Sequence, residues 1–85
     1  MAFASYPSLR DRVVFITGGA SGIGACLVEE FHAQGACVAF VDLQEAEGRA
    51  LAERLDGAWF RVCDVTDAPA LQAAVRDACQ ALGPV

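Results

Sequence analysis

An alternation repeated three times most limits what this chain can fold into: a short apolar run, then a segment with helical spacing. Residues 13–16 are Val13, Val14, Phe15 and Ile16, and they stop at Thr17, Gly18 and Gly19. An unbroken β-branched and aromatic run with a glycine stop suits a strand buried on both faces. From Ile23 the spacing lengthens. Ile23, Leu27 and Phe31 recur every four residues, Glu29 and Glu30 lie off that stripe, and Gly35 stands where a helix C-cap belongs. Residues 37–41 form a second apolar run, ended by Asp42, and residues 44–55 are charged and helical in composition up to Asp56 and Gly57. Residues 58–63 read as a third strand, ended by Asp64. Leu71, Ala74, Val75, Ala78, Cys79 and Leu82 then share one apolar stripe, which predicts a helix. Thr66 or Asp67 can cap its start, Pro69 is tolerated in its first turn, and Gly83 and Pro84 end it. Strands alternating with helices imply a parallel sheet with right-handed crossovers. The expected fold class is α/β, the first β-α-β-α-β-α half of a doubly wound parallel sheet, with residues 1–85 as one unit.

Composition narrows the class further. Apolar residues make up 55% of the 85 positions and charged residues 20%, which fits a packed domain and not a disordered tail. A net charge of -5 lacks the basic footprint of a nucleic-acid binder and opposes an anionic membrane surface. All the basic residues are arginines, Arg10, Arg12, Arg49, Arg54, Arg61 and Arg76, so no mechanism can draw on a lysine of this chain. Cys26, Cys37, Cys63 and Cys79 form no C-x-x-C pair, and His32 is the only histidine, so no zinc site is expected. Each cysteine lies in an apolar periodic stretch and reads as a reduced, buried thiol, which suits the cytoplasm. The N-terminal residues lack a signal-peptide pattern, and no apolar run is long enough to span a bilayer. His32, with no carboxylate or thiol one helical turn on, reads as a partly exposed helix residue.

Chemistry concentrates in the turn from Thr17 to Gly24. A helix N-terminus offers unpaired backbone N–H groups and a partial positive charge, the elements of a diphosphate cradle. Gly18, Gly22 and Gly24 permit unusual dihedrals and close backbone approach, and Ser21 adds a hydroxyl donor. The bland alternative is a tight strand-to-helix turn. Position favours the cradle: the motif follows an apolar strand and opens a helix, and Asp42 ends the next strand roughly 20 residues on, where a carboxylate accepts from an adenosine ribose in dinucleotide-binding folds. Asp42 would repel a 2′-phosphate, and Leu43 and Gln44 supply no cation, so the cofactor reads as NAD with NADP disfavoured. Asp64 and Val65 suit either an adenine lid or an aspartate preceding a helix, and the residues alone do not separate the two. The turn is no P-loop, which needs a lysine, and Leu27 stands where G-x-G-x-x-G would place its third glycine.

Thr17, Gly18, Gly22, Ile23 and Gly24, then Val41, Asp42 and Leu43, then Cys63, Asp64, Val65 and Thr66, closely resemble the opening of the short-chain dehydrogenases/reductases, in order and spacing. The likeness runs from about Leu9 nearly to the end of the chain. The wording of Tyr6 to Leu9 and of the glycine turn is most similar to NAD-dependent aldose (xylose-type) dehydrogenases within that family. The resemblance implies a Rossmann-type fold in which Gly18, Ser21, Gly22, Ile23 and Gly24 line the diphosphate. Asp42 and Leu43 would meet the adenosine ribose, and Asp64 and Val65 the adenine. It also implies an alcohol or sugar substrate, hydride transfer, and homo-oligomers of the whole protein. Asp11 and Arg12 replace the Gly-Lys often found before the first strand.

Three parts of that pattern are absent: the Asn-Asn-Ala-Gly segment, the catalytic serine and Tyr-x-x-x-Lys. The tyrosine acts as general acid/base and the lysine lowers its pKa. Tyr6, followed four residues later by Arg10, is no such pair. The sequence therefore predicts no catalytic residue here. The expectation is a truncated NAD-binding part of an oxidoreductase, inactive alone. The alternatives are a free-standing nucleotide-binding module or a piece that complements a separate chain.

Overall fold

The computed structural model describes residues 12–20 and 22–83. Its elements follow the expected order: β1 (Val13–Thr17), α1 (Gly22–Ala33), β2 (Cys37–Asp42), α2 (Glu45–Arg54), β3 (Trp59–Val62) and α3 (Ala68–Leu82). The strands pair in the order β1-β2-β3, all parallel, with Thr17 opposite Val41 and Asp42 opposite Val62. Among the described residues no helix is long and apolar enough to cross a membrane.

Because strand side chains alternate between faces, each strand divides its apolar residues between two layers. On one face Val38, Phe40, Val14, Ile16 and Phe60 pack under α1 and α2, around buried Val28 and Leu51. The Phe40 and Phe60 rings lie 5.0 Å apart and tilted, within the preferred range for aromatic pairs. On the other face Val41, Phe15 and Trp59 pack with Cys63 against Ala70, Leu71 and Ala74 of α3. The central strand β2 is buried over Val38, Ala39, Phe40 and Val41. β1, read from its sequence as buried on both faces, is half-buried. Among the described residues it pairs with β2 alone, and its side chains pack into both layers, Val14 and Ile16 in one and Phe15 in the other.

The ends of the helices follow local chemistry. Gly35, at φ +90°, closes α1: its N–H donates to the His32 carbonyl, and the Ala36 N–H donates to Phe31, a Schellman arrangement. Asp67 rather than Thr66 caps α3, its carboxylate accepting from the Ala70 N–H at 3.2 Å, with Pro69 in the first turn. α1 keeps Phe31 of its expected stripe on the core and departs from it at Ile23. Val28 is its buried residue, flanked by Ala25 and Phe31 on the core, whereas Ile23 points outward. The cysteines depart too. All four are free thiols, but only Cys63 is buried, and Cys26 is exposed on the outer side of α1 beside Ile23 and Leu27. His32 is partly exposed as expected, and its Nε2 lies 2.8 Å from the Asp56 carbonyl.

Candidate dinucleotide site at the carboxyl edge of the sheet

Parallel pairing brings the residues after each strand to one edge: Gly18 to Ala20 after β1, Asp42 and Leu43 at the end of β2, and Cys63 to Val65 after β3. In open α/β sheets this is the edge along which ligands bind. Ser21 lies outside the described residues.

The glycine turn is stitched to the end of β2. The Gly18 and Gly19 N–H groups both donate to the Val41 carbonyl, at 2.8 and 3.2 Å, and the Ala20 N–H donates to Asp42 Oδ2 at 3.1 Å. Asp42 Oδ1 accepts from the Gln44 N–H at 3.0 Å. The first three donors of the turn are thus consumed within the protein. Gly22, Ile23 and Gly24 follow at the start of α1, where backbone N–H groups have no carbonyl one turn earlier in the helix. A helix start of this kind favours an anion.

The glycines divide their tasks. Gly18 and Gly22 take φ of +68° and +59°, and a side chain at either would point into open space. Gly24 serves close approach, since a methyl there would collide with the backbone of Gly18. Gly19 is buried against Phe40, a packing role that the sequence did not distinguish from its neighbours.

Asp64 is exposed and locally fixed. Its Oδ1 accepts from both the N–H and the hydroxyl of Thr66, at 2.9 and 2.6 Å. The hydroxyl bond first, then the backbone bond, holds its carboxyl below the ordinary aspartate range. The part of Thr66 was readable from an Asp and a Thr two residues apart, a standard turn pairing. Ile23, Leu43 and Val65, at 81%, 65% and 46% exposure, are among the most exposed large apolar side chains, and all three belong to this edge. The Ala20 N–H had no side-chain signature by which the sequence could have revealed it.

Comparison with known proteins gives one answer. Residues 12–85 match the family model for short chain dehydrogenases. The chain is 44% identical to the probable galactose dehydrogenase of Rhizobium meliloti, over 96% of this chain and 34% of that protein. It is 43% identical to D-xylose 1-dehydrogenase of Caulobacter vibrioides, over 86% of this chain and 31% of the relative. Among solved structures, 3-ketoacyl-(acyl-carrier-protein) reductase from Brucella melitensis, complexed with NADH, superposes with a TM-score of 0.86 at 32% identity. That superposition covers 91% of this chain and 32% of the reductase. The chain spans about a third of the length of the relatives that it matches.

Proposed function

The chain belongs to the short-chain dehydrogenase family, and from that premise we propose that residues 1–85 are the first half of a dinucleotide-binding domain, carrying the adenosine and diphosphate part of an NAD site. One observation carries this reading. A single edge of the sheet presents helix-start donors, two open positive-φ glycines, a carboxylate and three exposed apolar side chains. Gly18 and Gly22 leave room for a diphosphate that the Gly22, Ile23 and Gly24 N–H groups bind, with Ser21 adding its hydroxyl. Asp42 fits a ribose. A carboxylate offers about four acceptor positions and the described residues take two, leaving others for the 2′- and 3′-hydroxyls. Leu43 would cover that sugar, and Asp64 with Val65 the adenine.

Asp42 also bears on cofactor choice. Gln44 and exposed Leu43 offer no cation to a 2′-phosphate, so the carboxylate favours NAD over NADP. In a protein the length of the relatives, NAD would take or give a hydride at an alcohol or sugar carbon, in a cytoplasmic homo-oligomer. This chain contributes none of the chemistry at that carbon, because it holds neither Tyr-x-x-x-Lys nor any lysine. Titration calorimetry with NAD and NADP tests the reading. The expected result is NAD binding at least tenfold tighter than NADP, with no turnover over an alcohol and sugar panel. A folded chain that binds neither cofactor would overturn it.

A further inference from the structure

We propose that Asp42 is a positioning residue for the diphosphate turn, a task separate from accepting ribose hydroxyls; the proposal rests on the dinucleotide reading above. The reasoning starts from the Ala20 N–H. Ala20 is buried, and a buried donor without a partner is costly. Among the described residues no backbone carbonyl serves it. Val41 O already accepts from Gly18 and Gly19, and Asp42 O accepts from the Cys63 N–H at 3.1 Å. Asp42 Oδ2 takes the place of a carbonyl. The other oxygen is held by Gln44, so backbone groups on two loops fix the carboxylate. α1 begins two residues after Ala20. The tie from Ala20 to β2 therefore helps to aim the first N–H groups of α1, which are the diphosphate donors.

This role and the ribose role predict opposite signs for one ligand. A nucleotide with a diphosphate but no ribose hydroxyls, 2′,3′-dideoxyadenosine 5′-diphosphate, gives Asp42 nothing to accept. If Asp42 served only the ribose, Asp42→Ala would leave this ligand unaffected or bind it more tightly, since a negative charge near the diphosphate is gone. If Asp42 positions the turn, Asp42→Ala weakens it, by about tenfold for a lost charge-assisted bond. Asp42→Asn, whose amide oxygen still accepts, recovers part of the loss.

The experiment uses the whole 85-residue chain in three arms. NAD binding by the unsubstituted chain reads the dinucleotide assignment by itself. Calorimetry with the dideoxy nucleotide compares the unsubstituted, Asp42→Ala and Asp42→Asn chains. Amide hydrogen exchange follows the Ala20 N–H against Gly18, whose acceptor is a backbone carbonyl that Asp42 substitution leaves in place. The expected result is a protected Ala20 amide in the unsubstituted chain, exchanging at least tenfold faster in Asp42→Ala while Gly18 is unchanged. Should Asp42→Ala not fold, protection of Ala20 in the unsubstituted chain and its partial loss in Asp42→Asn decide the matter. Unaltered or tighter dideoxy-nucleotide binding in Asp42→Ala overturns the proposal. So does an Ala20 amide that exchanges as freely as an unstructured one. If NAD fails to bind but the dideoxy nucleotide binds and weakens in Asp42→Ala, the dinucleotide reading falls and the positioning role stands for a diphosphate alone; if neither binds, both fall and only the tie from Asp42 to Ala20 is left.

Discussion

Gly22 and Gly24 stand two residues apart in one turn, yet the structure asks different things of them. Gly22 is required by its dihedral, and a methyl added there meets open space. Gly22→Ala is therefore expected to cost only the left-handed backbone penalty, about 1–2 kcal/mol. Gly24 is required by contact, because an added methyl meets the main chain of Gly18 and Gly19, which cannot rotate away. Gly24→Ala must shift α1 off the turn, at about 1–3 kcal/mol for overpacking, and must also move the proposed diphosphate donors. Urea unfolding at constant m, followed by NAD titration, separates the two. Gly24→Ala should lose both stability and affinity, whereas affinity should suffer more than stability in Gly22→Ala, whose open side faces the proposed diphosphate. The sequence marked Gly18, Gly22 and Gly24 as one motif and was right about where they sit. It did not show that the first three turn N–H groups are spent on β2, because backbone donors leave no trace in side-chain identity.

At the scale of elements, legibility followed the clarity of the buried stripe. α3 was readable because its apolar positions recur without interruption, and Ala74 and Ala78 are indeed buried. α1 was readable as a helix but not by face. Ile23 and Leu27 are larger than Ala25, yet the small residues Gly24 and Ala25 face the turn and sheet, where space is short. α2 hides a similar substitution of size for contact. Gly48 is buried in the middle of the helix, and an added methyl would enter the Phe60 ring. Helix propensity alone makes Gly48→Ala a gain of up to about 1 kcal/mol. Contact opposes it, because the Phe60 ring, packed against Phe40 on the central strand, must shift to admit the methyl. The expected outcome is net destabilisation of about 1–3 kcal/mol, read from the urea midpoint. Stabilisation instead would show that Phe60 moves freely. The glycine was visible in the sequence, but its partner twelve positions on was not, since no local pattern ties a helix position to one strand residue.

Across the whole molecule, the two faces of the sheet are unequally secured. Among the described residues, α1 and α2 together cover one face, around Phe40, Val38, Val28 and Leu51, while α3 alone covers the other, against Val41 and Cys63. Polar ties reinforce the single-helix layer. Arg61 of β3 lies 4.9 Å from the Trp59 ring centre and pairs at 2.7 Å with Asp77 of α3, and Asp64 with Thr66 shapes the loop that leads to the Asp67 cap. Both carboxyls are held below the ordinary range, Asp77 chiefly by the Arg61 hydrogen bond and Asp64 by Thr66. A carboxyl whose folded pKa is depressed adds stability that is complete above its unfolded value, about pH 4, and is lost as pH falls through the lower folded value. Acid should therefore loosen the α3 layer first. Amide hydrogen exchange at pH 6 and pH 3, corrected for intrinsic rates, measures this directly, because units of lower stability open before the rest. The amides of α3 should lose more protection between the two conditions than those of α1 and α2. In a chain with Asp64→Asn and Asp77→Asn, that excess should largely vanish, since neither position can then change charge. If α1 and α3 instead lost protection in step in the unsubstituted chain, the two layers would be one cooperative unit, and the ion pair across β3 and α3 would not govern the acid response.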